Sequence, residues 1–232
     1  MYFRQAHSTN FRAGRTKAIQ FLVIHFTSND NDTARNNLNY YATSPGLKSS
    51  AHFYVDRTEV CQSVKEGDTA YHCGATTYKH KSCRNDNSIG IELCSRYTGN
   101  VVADKKANTV DFKKYYFDDA VIDNAVKLTK ELMQKYNIPV TNVIRHYDVT
   151  GKTCPAPFVI DEKQWQAFLA KLSEPTKKIE SGNDIVWELM NGPHKIKITE
   201  VQRAVNALEK AKNHTDFASL YWILYKLVNG NE

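Results

Sequence analysis

The sequence contains no run of about 18 apolar residues, which excludes a membrane-spanning helix. Its opening stretch, MYFRQAHSTNFRAGRTK, has basic residues but no apolar segment behind them, so it does not read as a secretory leader. The expectation is a protein made in the cytoplasm without a signal peptide, reaching any outside target by another route. The five cysteines, Cys61, Cys73, Cys83, Cys94 and Cys154, are odd in number and lack paired short gaps. That pattern argues against a disulfide framework and against a zinc-finger module. Nucleic-acid-binding motifs, internal repeats and low-complexity tracts are also missing, and the basic residues are scattered rather than gathered on one helix. No nucleic-acid partner is expected.

What is present has the composition of a soluble globular protein, with 41% hydrophobic and 24% charged residues. A length of 232 residues suits one domain of average size and a small second one. The net charge of +6 is uneven: residues 179–232 hold six basic and seven acidic residues, leaving 25 basic against 18 acidic before them. A basic first part favours an anionic polymer as partner.

The run AIQFLVIHF (18–26) suits a buried central strand, and NSIGIELCS (87–95) suits another. SAHFYVDR (50–57) and EVCQSV (59–64) read as a hairpin pair, and VTNVIRH as a further strand. Helices are expected over 32–43, over 116–138 with Asp118 and Asp119 in its first turn, and over 161–172. This order gives an α/β fold, a mixed central β-sheet with helices on both faces. Residues 1–172 form the expected larger domain. The polar stretch 173–182, with Pro175 and Gly182, reads as a linker, and 183–232 as a small, mostly α-helical C-terminal domain.

Three residues could converge on one ion. His25 closes an apolar strand, His146 closes another, and Cys154 follows across the loop YDVTGKT. Two strand-end imidazoles and a loop thiolate are a set that zinc accepts, with a fourth position left open for water. Glu92 lies in an otherwise apolar strand, where burial would raise its pKa toward that of a general base. Lys152 could set an ammonium beside a developing oxyanion. Alternatively, Cys154 is a nucleophile with His146 as its base.

Together, VIHFT, SAHFYVD, AYHCG, NDNSIGIEL and RHYDVTGKTCP occur in the order found in zinc-dependent N-acetylmuramoyl-L-alanine amidases, which the chain resembles over about residues 9–170. These enzymes share a fold with peptidoglycan recognition proteins and are common as phage endolysins and bacterial autolysins. The resemblance implies Zn2+ held by His25, His146 and Cys154, with Glu92 and Lys152 catalytic. A zinc-activated water would then cleave the amide between N-acetylmuramic acid and L-alanine in bacterial peptidoglycan. Some members carry a catalytic Tyr where this chain has Ala51, so it resembles the Glu-type enzymes. His52, His72, Gly74 and Asn87 match positions lining the substrate groove, whereas Tyr71 stands where the family commonly has Trp.

The C-terminal part resembles short modules of some endolysins from phages of clostridia, which implies cell-wall binding after release. Dimerisation through it would help so short a segment build a core. Two other readings stay open from the residues: a non-catalytic peptidoglycan-binding protein, and a thiol-dependent cell-wall hydrolase using Cys154. Membrane insertion is not expected.

Overall fold

The structure, a computed structural model, describes residues 1–174. The expected linker from Pro175 on and the C-terminal module therefore lie outside the described residues. Ten strands run in chain order: β1 (Tyr2–Phe3), β2 (Phe11–Arg12), β3 (Phe21–Phe26), β4 (Phe53–Val55), β5 (Val60–Gln62), β6 (Thr69–Ala70), β7 (Ser88–Leu93), β8 (Arg96–Tyr97), β9 (Tyr115–Tyr116) and β10 (Val143–Arg145). Six α-helices accompany them: α1 (Ala34–Thr43), α2 (Val101–Ala107), α3 (Asp119–Tyr136), α4 (His146–Thr150), α5 (Ala156–Ile160) and α6 (Glu162–Ser173).

The main sheet has six strands in the order β1-β5-β4-β7-β3-β10. Its centre is parallel, with β4, β7, β3 and β10 running the same way, and β5 is antiparallel to β4 as the hairpin reading requires. Alternation along the strands separates two faces. Leu22, Ile24, Ile89, Ile91, Phe53 and Val55 point to one face and form the main core with Val121, Leu128, Leu132, Trp165 and Phe168 of α3 and α6. Burying each such side chain contributes about 1.5–3 kcal/mol. The opposite face carries Phe21 and Val23, which pack with Val149 of α4. Tyr54 of β4 packs there with Ala34 and Leu38 of α1. Helices thus cover both faces of a mixed sheet, as expected.

Local chemistry sets the helix limits. Thr33 caps α1 by accepting from the Asn36 amide, and Asn137 ends α3 in the left-handed conformation that an Asn tolerates. The structure adds elements that the sequence reading lacked, among them α5 and the short strands β1, β2 and β6, and it departs from that reading near the cleft. The segment between β8 and β9 contains α2, capped by Asn100. His146 does not end a strand: it is the first residue of α4, because the Asp148 carboxylate accepts both the Arg145 amide (2.9 Å) and the Arg145 Nε (3.0 Å) and turns the chain. No described helix is long and apolar enough to cross a membrane.

Candidate active site

His25 sits on β3 and Glu92 on β7, and the two are register partners in parallel strands, so both project from the face opposite the main core. His146 enters this space from α4. Its turn is held by Arg145, whose guanidinium donates to Asp148 Oδ1 (3.0 Å), to Glu162 Oε2 (2.6 Å) and to the Phe158 carbonyl (2.9 Å). Cys154 returns to the same place because its carbonyl accepts the Tyr147 amide at 2.8 Å, and Gly151, at a φ of 86°, ends α4 in a conformation only glycine adopts freely. The loop thereby ties one ligand candidate to the residue beside the other.

One ligand atom from each of His25, His146 and Cys154 lies within 4.8 Å of the others, and all three residues are buried. The Cys154 Sγ is 3.7 Å from His25 Nδ1. Tetrahedral bonds of about 2.3 Å to sulfur and 2.0–2.1 Å to nitrogen would set these atoms about 3.6 Å apart. His146 Nδ1 is buried without a hydrogen-bond partner, an expensive state for a polar atom that a metal ion would relieve. Imidazole and thiolate donors suit zinc or another borderline transition metal better than calcium or magnesium. The residues fit the ion.

The electrostatics point the same way. Burial, then the neighbouring His146 and His72, hold His25 well below the usual histidine pKa. Burial, then Lys152, bring His146 down to about 3. Both rings are therefore neutral at physiological pH and can offer lone pairs. Burial pushes the Cys154 thiol up, with Glu92 adding to the effect, so the pocket alone does not make a thiolate. A bound dication would reverse that. Glu92 is half-buried, but its Oε2 is shielded and unpartnered. Burial lifts its pKa to about 8, Lys152 opposes this and Asp32 adds to it.

A cleft of about 690 Å³ is lined by His25, Glu92, His146, Lys152 and Cys154, with Tyr40 and Phe112 among its walls. A second, of about 860 Å³, shares His72, His146 and Lys152 and is bounded by Tyr71, Gly74 and Asn85. The expected groove residues divide accordingly. His72 and Gly74 line these clefts. His52 does not: fully buried, it accepts the Gly90 amide at Nδ1 (3.0 Å) and meets the Arg15 guanidinium at Nε2 (2.6 Å). Asn87 is also buried, accepting the Arg84 amide and donating to Gln20 and Ser82. Neither side chain lines the two clefts, because every polar atom of both is used inside the fold. Tyr40, Phe112 and Arg145 were missed in the sequence; only an i, i+3 Arg–Asp pair before the Cys loop hinted at the last.

Comparison with known proteins agrees with this geometry. Residues 15–157 match the family model described as N-acetylmuramoyl-L-alanine amidase. The amidase CwlL of Bacillus licheniformis is 30% identical over 164 residues, covering 66% of this chain and 41% of its own length. AmiD of Escherichia coli is 30% identical over 151 residues, covering 60% of this chain and 49% of its own length. The chain thus spans between two fifths and one half of these curated relatives. Among solved structures, PlyL superposes with a TM-score of 0.57 at 26% identity, covering 74% of this chain and 96% of PlyL. The catalytic domain of XlyA, a protein of Bacillus subtilis, gives 0.56 at 26% identity, covering 74% and 97%.

Proposed function

The chain belongs to the N-acetylmuramoyl-L-alanine amidase family, and we propose that it is a zinc-dependent peptidoglycan hydrolase of the endolysin type. Its substrate is the amide joining the lactyl group of N-acetylmuramic acid to L-alanine. The observation that carries this reading is the convergence of His25, His146 and Cys154 in a cleft that also holds Glu92 and Lys152.

Zinc, when bound by those three residues, supplies Lewis acidity that polarises the scissile carbonyl and makes water a better nucleophile near neutral pH. Glu92, ionised in the loaded site, takes the proton of the attacking water and later gives it to the departing L-alanine amine. The Lys152 ammonium faces the oxygen on which charge builds as the tetrahedral centre forms. Leu93, Ile91 and the core beneath keep the Glu92 strand rigid, so the base is oriented before substrate arrives.

The thiol-hydrolase reading is weaker on physical grounds. A nucleophilic cysteine needs a lowered pKa, and the surroundings of Cys154 raise it. A non-catalytic binder would gain nothing from an unpartnered carboxylate oxygen at the cleft. Residues 1–172 are proposed as the catalytic domain, 173–182 as a linker, and 183–232 as a wall-binding module that could also pair two chains. The basic catalytic part would be drawn to anionic wall polymers and released by salt.

The test is mass spectrometry of purified cell walls digested with wild type, chelated wild type and Glu92→Ala. Free L-alanine amino termini should accumulate only with zinc-loaded wild type. Alkylation that inactivates the enzyme while zinc stays bound would favour the thiol mechanism instead.

A further inference from the structure

Behind the three ligand candidates runs a line of buried hydrogen bonds that no catalytic step uses. His25 Nε2 is 3.0 Å from His72 Nδ1, His72 Nε2 is 3.1 Å from Ser88 Oγ, and Ser88 Oγ is 2.6 Å from the Arg84 carbonyl. His25, His72 and Ser88 are exposed by only 2%, 9% and 0%, so water cannot easily substitute for any link.

We propose that this chain fixes the tautomer of His25 and thereby aims a lone pair at the metal, which makes His72 and Ser88 positioning residues for the ion. The proposal rests on the metal-site reading above. Its direction follows from donor counting. The Arg84 carbonyl can only accept, so the single hydroxyl proton of Ser88 is committed to it. Ser88 Oγ must then accept from His72, which puts the His72 proton on Nε2. With one N–H on the His72 ring, its Nδ1 is bare and accepts from His25 Nε2–H. That leaves His25 Nδ1 without a proton, and this is the atom 3.7 Å from Cys154 Sγ. The Cys73 thiol, 3.9 Å from Ser88 Oγ, can add a weak donor to that oxygen without reversing the chain.

The backbone is shaped to hold the relay. Asn85 Oδ1 accepts the amides of both His72 (3.1 Å) and Cys73 (2.8 Å), pinning the segment that carries the ring. The ring lies directly on β7 at Gly90, where an added Cβ would fall 2.6 Å from His72 Cγ. Such a contact is untenable, so the glycine inside SIGIE is the space that His72 occupies. Ser88, Gly90 and Glu92 alternate on one face of one strand. That strand delivers the relay's acceptor, the gap for its ring and the proposed base.

The decisive measurement is the tautomer state in ¹⁵N-labelled wild type, read from two-bond ¹⁵N–¹H correlations with and without zinc. Both His25 and His72 should carry their proton on Nε2; a His72 protonated at Nδ1 overturns the proposal. Chelator competition should then show zinc held about 10–100-fold more weakly by Ser88→Ala. Ser88→Thr, which keeps the hydroxyl, should restore affinity to within a few fold. Unchanged affinity in folded Ser88→Ala also overturns it. If wild type binds no zinc, the metal reading falls, while the tautomer spectra still decide the hydrogen-bond chain.

Discussion

His25 and Glu92 stand directly opposite each other on the neighbouring parallel strands β3 and β7. A proposed ligand and a proposed base are thus fixed relative to one another by sheet hydrogen bonds rather than by loops. Because side chains alternate with a period of two, a one-residue slip of β7 would carry Ile91 into the cleft and Glu92 into the core.

Glu92→Gln keeps the shape and removes the base. Turnover should fall about 10²–10⁴-fold, while zinc affinity changes by no more than a few fold. In metal-free protein near neutral pH the same variant should be more stable by about 1–3 kcal/mol, because wild type there confines a carboxyl whose charged form is disfavoured. Chemical denaturation with chelator present measures this. A less stable variant would mean that Oε2 has a partner after all.

Lys152 is assigned to the transition state rather than to binding. Lys152→Met should lower kcat by about 10²–10³-fold with little change in KM. A rise in KM at constant kcat would instead make it a substrate-binding residue.

Three buried histidines should make the metal-free domain sensitive to mild acid. His25, His52 and His146 all have folded pKa values pushed below 6.5, chiefly by burial. The unfolded chain therefore binds more protons below pH 6.5, and stability falls as pH drops, by about 1.4 kcal/mol per pH unit for each histidine. Glu92 acts oppositely. Its folded pKa lies at about 8 rather than 4.5, so it contributes stability below pH 4.5 that is lost as pH rises through about 8. Below pH 6.5 three histidines outweigh one carboxyl, and above it their contribution is complete while that of Glu92 is still being lost. Thermal melts with chelator from pH 5 to 8.5 should peak near pH 6.5; a flat profile between pH 5 and 7 would contradict the neutral-histidine account.

Arg145 is a mechanical part. Its side chain, only 10% exposed, pairs with Asp148 and Glu162 and packs over Trp165, with its guanidinium carbon 5.2 Å from the ring centroid. Arg145→Ala should cost about 2–4 kcal/mol and weaken zinc binding through the loosened His146 turn. Arg145→Lys should recover only part of either, since an ammonium cannot make the forked contacts. Paired denaturation and metal-competition titrations check both.

Much of this was legible in the sequence because strands announce themselves. The apolar runs ending at His25 and flanking Glu92 placed both residues at the sheet, and the motif order carried the rest. His52 and Asn87 lie behind the clefts, a placement the sequence does not reveal because membership in a motif does not distinguish a residue facing a cleft from one behind it. Only the burial of His52 against Arg15 and Gly90 decides that. Helix α4 was hidden because five residues give no periodic signal and its anchor, Glu162, is far along the chain. Gly90 carried a readable sign, a glycine inside a strand, whose meaning needed the position of the His72 ring.

Strand β10 lies at the rim of the six-stranded sheet, paired on one side only, to β3. Rim strands fray first. An ion gripping His25 on β3 and His146 immediately after β10 would rivet that rim to the interior. Loading should then slow amide exchange across Val143–Arg145 more than in the hairpin of β4 and β5, making the ion a clasp for this edge of the sheet as well.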